Sequence, residues 1–481
     1  MALTILSDAV ISHLLENLTH DEAEAFAHTL KCALHEYSTG TQSADAGYVH
    51  QPQRTSVNSH DTGTTTSFIP SWGAEGHGVK VVTMSSSSPT DPPTKHTGSV
   101  TLYDPQGEPV GFLHAQTLTA FRTALASSCL LTKRSSVRTL TVFGSGLQAY
   151  WHIRLALMLR GHTIRTIYVI NRRFSENAKN ILKKFYAIPA EVKAREGWEA
   201  AQFSVLTPGY GEYVRLQKEH IRAADVIYCC TPSREELFEA NILMSHEGRK
   251  KGRLIIAIGG YTPEMRELPK ELLQQATKRE HKHMHYHKHA VEGGVVVVDT
   301  LDGALKEAGE ILEAGLSPGQ LVELGELAMI HRIAKEEEVS STDGSSISDS
   351  LSHMDLSSAG SAMSTVFGSS STNTSSDNGT SNSKRSSSQS PSRKNSNSPT
   401  HSRKSSFHLP APFHKRTSSA SSVDKAKDKE KHDDHLARWL SAGNVVYKSV
   451  GLGLMDLVVG MEIVRLAKEK GVGSFVEGFS S

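Results

Sequence analysis

Short apolar segments alternate with helical segments through the middle of the chain, and this alternation limits the folds that the sequence can adopt. The segments with strand character are residues 139–143, 166–170, 226–230, 254–258 and 295–298. Residues 149–160 and 175–185, which lie between strands, predict helices. Apolar strands separated by helices pair in a parallel sheet that is covered on both faces. The pattern therefore predicts an α/β fold.

The first 120 residues have a different pattern, which predicts an α+β region. Apolar residues at helical spacing predict one helix over residues 1–37, and a polar, turn-rich stretch follows it. A turn at residues 104–107 joins two apolar segments into a predicted hairpin. Residues 79–82 predict a further short strand, and residues 117–132 predict a helix that leads into the alternating region.

Residues 337–435 interrupt this organisation. Serine, asparagine and threonine dominate there, whereas apolar residues nearly vanish. Such a composition cannot bury enough apolar surface to offset the loss of chain entropy, so we predict that this segment is disordered. Because residues 436–473 regain an apolar, helical pattern, the polar stretch is predicted to be a long Ser-rich insertion within a fold.

Composition argues against several classes of function. The chain has 52 basic and 51 acidic residues and a net charge of +1, which argues against a protein that binds nucleic acid or an acidic membrane surface. No apolar run approaches the roughly 20 residues that span a bilayer. The four cysteines are too few for a disulfide framework, so we predict reduced thiols in a soluble, cytoplasmic protein.

One turn carries the main chemical signal. Its pattern is Gly-x-Gly-x-x-Ala, with the glycines at 144 and 146, between a predicted strand and a predicted helix. The first glycine permits a tight turn, and the second lets the backbone approach a pyrophosphate that binds at the helix start. The alternative is a tight turn without a ligand. The predicted dinucleotide site comprises Gly144, Ser145, Gly146, Leu147 and Gln148.

The end of the next strand predicts which dinucleotide binds. A carboxylate there would bind the ribose 2′-hydroxyl of NAD, but this chain has Asn171, Arg172 and Arg173. Two guanidinium groups and an amide can bind a 2′-phosphate. We therefore expect NADPH or NADP as the cofactor, in preference to NAD. The alternative is that one arginine, such as Arg173, only decorates the surface.

Several segments together resemble one protein family. In chain order they are Phe121-Arg122-Thr123-Ala124, the phosphate turn with Tyr150-Trp151-His152, Thr231-Pro232-Ser233, Val298-Asp299, Glu323-Leu324-Gly325-Glu326 and Lys448-Ser449-Val450-Gly451. Their order and spacing are similar to those of the ornithine cyclodeaminase and mu-crystallin family. The resemblance implies a Rossmann dinucleotide-binding domain plus an α+β domain that binds the substrate and forms a homodimer.

On this resemblance the chain divides into four parts. Residues 1–120 would form the first part of the substrate and dimerisation domain, and residues 121–336 the Rossmann NADP-binding domain. Residues 337–435 would be the disordered Ser-rich insertion. Residues 436–481 would be a C-terminal segment that returns to the substrate and dimerisation domain.

The resemblance also implies roles for single residues. Arg122 would hold a substrate carboxylate, and Arg54 would be a second position that binds the substrate's anionic group. Lys80 matches the family's active-site lysine and would donate a proton to an imine nitrogen or bind the carboxylate. Thr231 and Lys448 would contact the cofactor. The alternatives are a structural ion pair for Arg122 and a solvated lysine at a sheet edge for Lys80.

One departure from the family pattern concerns the chemistry. The family's lyase, which makes proline from ornithine, has an aspartate where this chain has Tyr261. A phenol has an ordinary pKa of about 10 and would not be a routine base at neutral pH. We therefore expect an NADP-dependent reductase of a small carboxylate-bearing imine or ketimine, with an imino or amino acid as its partner. The alternatives are an ornithine cyclodeaminase-type lyase and a non-catalytic, NADPH-dependent protein that binds a small ligand.

Two features lie outside the family pattern. Histidines occupy alternate positions from His281 to His289, but the interleaved lysines disfavour a buried site, so we expect no physiological metal. The insertion has basic residues just before serines, as in Arg403-Lys404-Ser405, which predicts protein kinases as partners. The alternative for the insertion is a linker without regulation.

Overall fold

The structure, a computed structural model, describes residues 2–40, 49–59, 61–85, 97–278, 293–327, 437 and 439–479. All of these residues lie in one compact unit, which comprises Met1–Phe367 and His432–Ser481. The Ser-rich insertion and the histidines at 281–289 lie outside the described residues. In the part of the chain that is described, no helix is long and apolar enough to cross a membrane.

The first sheet is mixed and has seven strands. They are β1 Leu3–Leu6, β2 Thr55–Asn58, β3 Thr64–Gly73, β4 Gly76–Ser85, β5 Thr97–Tyr103, β6 Pro109–His114 and β15 Ser474–Val476. Their spatial order is β15-β1-β6-β5-β4-β3-β2, in which β1 and β6 are parallel and the other neighbours are antiparallel. The helices associated with this sheet are α1 Asp8–Glu16, α2 His20–Gly40, α3 Ala115–Leu131 and α12 Gly453–Lys470, of which α12 packs across β3, β4 and β5.

The second sheet has eight strands, and all of them are parallel. They are β7 Thr139–Phe143, β8 Thr166–Ile170, β9 Gln202–Leu206, β10 Val226–Cys229, β11 Leu254–Ala257, β12 Val295–Val298, β13 Leu321–Glu323 and β14 Val445–Lys448. The connecting helices are α4 Leu147–Arg160, α5 Glu176–Ala187, α6 Ala190–Glu196, α7 Tyr213–Ala223, α8 Asn241–Met244, α9 Lys270–Ala276, α10 Leu301–Glu307 and α11 Gly309–Ala314, with short 3-10 turns at Gly248–Lys250 and Pro318–Gln320.

The order of the second sheet defines where a ligand can bind. The strands run β13-β12-β14-β11-β10-β7-β8-β9, so the chain proceeds outward from β7 to β9 and then crosses back to β10 on the other side of β7. Ligands of open parallel sheets bind at such a switch point, outside the carboxyl ends of the strands. Every residue of β10, β11, β12 and β14 is buried, as expected for strands with helices on both faces.

The predicted α/β fold with a Rossmann-type sheet is confirmed, and two N-terminal predictions are wrong. Residues Leu3–Leu6 form β1 and not the first turn of a helix, because three of these four residues bury their side chains while the strand pairs with β6. The stretch predicted to be turn-rich, residues 38–67, contains β2 and the first four residues of β3, where threonine and serine favour an extended backbone. The hairpin around residues 104–107 is confirmed as β5 and β6.

The structure corrects the predicted division of the chain at one strand. Within the segment 436–481, α12 and β15 lie against the first sheet, but β14 pairs with β11 and β12 in the middle of the second sheet. The sequence Val-Val-Tyr-Lys is wholly buried there, which suits a central strand. The other domain boundaries stay predictions.

Candidate active site

The predicted phosphate turn joins β7 to α4. Gly144 has a φ of 104°, a backbone conformation that residues with a side chain rarely adopt. Its amide donates a hydrogen bond to the carbonyl of Ile170 over 2.9 Å. A Cβ atom at this position would lie 3.0 Å from both the Cys230 carbonyl oxygen and Thr231 Cγ2. The turn is therefore packed against the loop that follows β10, at the switch point of the sheet.

The start of α4 is open. Gly146 occupies the N-cap position without a side-chain cap, and a Cβ atom there would meet no atom within 4 Å. Ser145, in the turn, is half-buried, and Leu147 and Gln148 are the first two residues of the helix. The Oε1 atom of Gln148 is buried and accepts no hydrogen bond from any described residue. Uncapped amides, open space and an unpaired buried oxygen fit a dinucleotide pyrophosphate and its ribose.

The turn after β8 contains the residues that were predicted to select NADP. Asn171 Nδ2 donates to the Arg173 carbonyl over 2.7 Å, so this side chain shapes the turn, and its predicted contact with a 2′-phosphate stays a prediction. Arg172 and Arg173 are exposed, and neither guanidinium has an ion pair with another described residue. Both are therefore available to an anionic ligand at the carboxyl edge of the sheet.

Lys80 and Arg122 share one buried carboxylate, which belongs to Asp456. Lys80 Nζ lies 3.0 Å and Arg122 Nε lies 3.3 Å from the same atom, Asp456 Oδ1. The three side chains come from β4, α3 and α12, and all are buried. Arg122 also donates to the sulfur of Met455 over 3.3 Å. We call Lys80, Arg122 and Asp456 the cation-rich cluster.

The environment of Lys80 changes its acidity. Burial is the main cause that lowers the pKa of Lys80 to about 8; the positive charges of Arg122 and Arg54 act in the same direction, while Asp456 opposes the shift. A lysine of this kind is cationic at neutral pH and can still release a proton at modest cost. The predicted role of proton donor is therefore chemically reasonable, and the alternative of a solvated lysine at a sheet edge is wrong.

Arg54 lies beside this cluster and forms an ion pair with Glu307 at the end of α10. Burial raises the pKa of Glu307, and Arg54 opposes that shift. Within this group of described residues, Lys80, Arg122 and Arg54 outnumber Asp456 and Glu307 by three charges to two. The excess positive charge suits a ligand with a carboxylate.

The loop after β14 connects the cation-rich cluster to the second sheet. Asp299, at the end of β12, accepts hydrogen bonds from Ser449 Oγ over 2.7 Å and from the Gly451 amide over 2.8 Å, and it also binds the Tyr447 hydroxyl. Gly451 has a φ of 86°, and a Cβ atom there would lie 2.8 Å from Arg122 Nη2. Glycine at this position therefore lets Arg122 lie at the same sheet edge as the phosphate turn.

The side chain of Lys448 lies in the protein interior, and its predicted contact with the cofactor stays a prediction. The Lys448 ammonium is fully buried, donates to the Gly260 carbonyl over 2.9 Å and lies 3.0 Å from Glu310 Oε1. An ammonium with these two partners forms part of the protein interior, because Lys448 is the last residue of a central strand. The nearby Tyr261 is half-buried, and burial raises the pKa of its phenol, which keeps the group neutral.

Thr231 lies where predicted, and its partner was not predicted. The Thr231 amide donates to Glu267 Oε1 over 2.8 Å, and the Gly259 amide donates to Glu267 Oε2 over 2.7 Å. Glu267 is fully buried, and burial raises the pKa of its carboxyl group to about 7. One carboxylate thus joins the loops that follow β10 and β11.

Sequence reasoning missed Asp456. The available signal was a lone carboxylate within the apolar first half of α12, residues 453–461, since a buried acidic side chain is rare unless it is paired. Among the described residues, no group of three or more histidine, cysteine, aspartate or glutamate side chains could hold a metal ion.

Comparisons with known proteins agree with this geometry. The model of the ornithine cyclodeaminase/mu-crystallin family matches residues 14–207. The ketimine reductase mu-crystallin of Mus musculus is 27% identical over 303 residues, which cover 62% of this chain and 79% of the mouse protein.

Solved structures show the same fold. A Δ1-pyrroline-2-carboxylate reductase of Thermococcus litoralis, in complex with NADH and L-proline, has a TM-score of 0.56 at 17% identity and covers 98% of this chain and 99% of its own. An archaeal alanine dehydrogenase dimer with bound NAD has a TM-score of 0.57 at 16% identity, with full coverage of both chains (100%). The resemblance predicted from the motifs is therefore confirmed: the chain is similar to the ornithine cyclodeaminase/mu-crystallin family.

Proposed function

We propose that this protein is an NADP-dependent reductase of a small imine or ketimine that carries a carboxylate. The observation that carries the proposal is the cation-rich cluster. Lys80 and Arg122 are buried, share a single carboxylate and lie at the sheet edge that also holds the open phosphate turn. The names of the mouse ketimine reductase and of the archaeal pyrroline-carboxylate reductase support the same class of reaction.

Each residue of the cluster has a defined task in this proposal. Arg122 binds the substrate carboxylate through its planar fork, in exchange for part of its contact with Asp456. Lys80 delivers a proton to the imine nitrogen, and Asp456 holds the ammonium in position. The nicotinamide supplies the hydride when it is bound. Hydride addition to carbon and proton addition to nitrogen together convert the C=N bond into an amine.

Tyr261 argues against the lyase alternative. Burial raises the pKa of its phenol above its ordinary value, so this side chain does not replace the aspartate of the family's lyase as a base at neutral pH. Reduction of a preformed imine needs no base at this position. The proposal therefore follows the reductases among the relatives.

The preference for NADP rests on Arg172 and Arg173. We expect Arg172→Asp to shift the ratio of Kd values for NADPH and NADH by at least about tenfold towards NADH, because a charge-assisted contact to the 2′-phosphate is lost and a repulsion is added. Titration of both nucleotides by fluorescence measures the shift. Arg138→Asp is the matched control, since Arg138 is exposed at the amino end of β7, the opposite edge of the same sheet. An unchanged ratio in Arg172→Asp would remove that residue from the site.

We also propose a homodimer that forms through the outer face of the first sheet. Ile5 and Phe112 pair across β1 and β6 and are 39% and 44% exposed, and Phe68 and Trp72 on β3 are exposed on the same face. Exposed large apolar side chains on one face of a sheet are typical of a protein interface. The archaeal alanine dehydrogenase is described as a dimer.

The protein kinases predicted for the insertion stay a prediction.

The four cysteines are free thiols, which supports our proposal of a cytoplasmic location.

The decisive experiment for the function is a screen of NADPH oxidation against imino acids and against mixtures of keto acids with amines. Turnover of a carboxylated ketimine supports the reductase. Release of proline and ammonia from ornithine favours the lyase, and tight NADPH binding without any turnover favours a binding protein.

A further inference from the structure

A second buried charged group lies beneath the loops that end β10, β11 and β14. It consists of Glu267, Glu310 and Lys448, all fully buried, and we call it the acid-rich cluster. Lys448 Nζ lies 3.0 Å from Glu310 Oε1, although neither oxygen of Glu310 accepts a hydrogen bond within the described part of the chain. The contact is therefore an ion pair, and the charge of the same ammonium also acts on Glu267 from a longer distance.

Glu267 differs from Glu310 because both of its oxygens are used. Oε1 accepts from the Thr231 amide over 2.8 Å and from the Thr231 hydroxyl over 3.3 Å, and Oε2 accepts from the Gly259 amide over 2.7 Å. No uncharged side chain of the same size offers two acceptor oxygens in this arrangement, since glutamine replaces one of them with a donor.

The two loops that Glu267 joins border the phosphate turn. A Cβ atom on Gly259 would lie 2.1 Å from the Thr231 carbonyl oxygen, and a Cβ atom on Gly144 would lie 3.0 Å from Thr231 Cγ2. Thr231 is therefore packed between these two glycines. A shift of the Thr231 backbone would change the cleft at the switch point where the dinucleotide is proposed to bind.

We infer that Glu267, in its ionised form, is a positioning residue for the dinucleotide: it ties Thr231 to Gly259 and so fixes the wall of the cleft beside the phosphate turn. This inference rests on the proposed function, because it requires a dinucleotide at that turn. Lys448 was expected to contact the cofactor directly. Instead, its ammonium lies beneath the loops of Thr231 and Gly259, where its positive charge offsets the negative charges of Glu310 and Glu267.

The groups that face Glu267 set its ionisation. Lys448 on β14 favours the carboxylate, and Glu310 on α11 disfavours it. Cys229, the last residue of β10, and Cys230, which follows it, are also near, but burial raises the pKa of both thiols well above its ordinary value, so they stay uncharged. Because burial raises the pKa of Glu267 to about 7, its ionised fraction rises from pH 6 to pH 8. Cofactor affinity should rise with it.

The test compares Glu267→Gln with the wild-type protein in titrations with NADPH and NADH from pH 6 to pH 8.5. We expect the ratio of the variant Kd to the wild-type Kd to be about ten at pH 8, the size expected for a lost charge-assisted hydrogen bond, and to fall towards one at pH 6. The ratio cancels the titration of the 2′-phosphate, which has a pKa of about 6. NADH lacks that phosphate and should give the same trend.

Glu271→Gln is the matched control, because it removes an exposed carboxylate four positions further along the chain and should give a ratio near one at every pH. A ratio for Glu267→Gln that does not change with pH would overturn the inference and leave a structural role only. If the variant does not fold, the wild-type affinity for NADH must still strengthen between pH 6 and pH 8, and a flat profile overturns the inference. If neither nucleotide binds the wild-type protein at any pH, the proposed function fails as well.

Discussion

The cation-rich and acid-rich clusters are built from the same kinds of side chain in opposite proportions. Lys80 and Arg122 both contact Asp456, whereas Lys448 forms an ion pair with Glu310 and attracts Glu267 from a longer distance. Burial lowers the pKa of the lysine in the first cluster to about 8 and raises the pKa of Glu267 in the second to about 7. Both shifts move a buried group towards neutrality, so each cluster contains one group that can change its charge near neutral pH.

The two clusters need different additional partners, because their excess charges have opposite signs. Two cations with one carboxylate attract a further anion. The carboxylate of the proposed substrate can be that anion. Two carboxylates with one cation need further donors, and Glu267 finds them in the backbone amides of Thr231 and Gly259. The first arrangement suits a site for a ligand, and the second suits the support of such a site.

The largest effect should come from the cation-rich cluster. We expect Lys80→Met to lower kcat for imine reduction by about 10² to 10⁴, the usual contribution of a positioned proton donor, without a comparable loss of NADPH affinity. In the wild-type protein kcat/KM should decrease above pH 8, because the ammonium form of Lys80 is lost as the pH rises through its pKa.

Steady-state rates and cofactor titrations measure both expectations for Lys80. Lys468→Met is the control, since Lys468 is an exposed lysine on the same helix as Asp456. Normal turnover by Lys80→Met would show that the proton comes from elsewhere.

The comparison also predicts unequal losses of stability. Asp456→Asn leaves two buried cations without a counter-ion and should lower the free energy of unfolding by about 3–5 kcal/mol. Glu310→Gln keeps the hydrogen bond from Lys448 to the Gly260 carbonyl and the longer-range attraction between Lys448 and Glu267, and it removes the repulsion between the two carboxyl groups, so we expect a loss below about 1 kcal/mol. Denaturant unfolding of both variants at pH 7.5 measures the difference. Equal losses would mean that the proportion of charges in a cluster does not decide its stability.

A smaller effect separates the charge of Arg122 from its shape. Arg122→Ala should raise KM for a carboxylated imine by about 10- to 100-fold, because a charge-assisted hydrogen bond to the substrate is lost. Arg122→Lys keeps the charge without the planar fork and should recover part of that loss. An imine without a carboxylate is the control substrate and should respond weakly to both changes. A KM that is unchanged in Arg122→Ala would remove the residue from substrate binding.

Local patterns in the sequence were sufficient to predict much of the second sheet. Strands such as Leu254–Ala257 and Val295–Val298 are apolar and buried along their whole length, and Gly144 marks the turn between β7 and α4 by its requirement for a positive φ. The position of Val445–Lys448 between β11 and β12 was not predicted. The pairing of a strand depends on partners that are far away in the chain, and a local pattern does not identify them.

The candidate site divides in the same way. Lys80 and Arg122 could be found from the family resemblance, since each stands within a recognisable motif. Asp456 and Glu267 could not, because their roles depend on contacts between elements that are distant in sequence, such as the one from Lys80 to Asp456. The buried position of Lys448 was missed for the same reason: a motif fixes where a residue lies along the chain and not which groups surround it.

The central place of β14 has a consequence for the order in which the protein matures. During synthesis β11 and β12 leave the ribosome long before Val445–Lys448, the strand that lies between them. Until that last strand inserts, both expose unpaired backbone groups, which other chains can capture. The same segment brings Asp456 and Lys448, so neither charged cluster is complete until this segment has been synthesised.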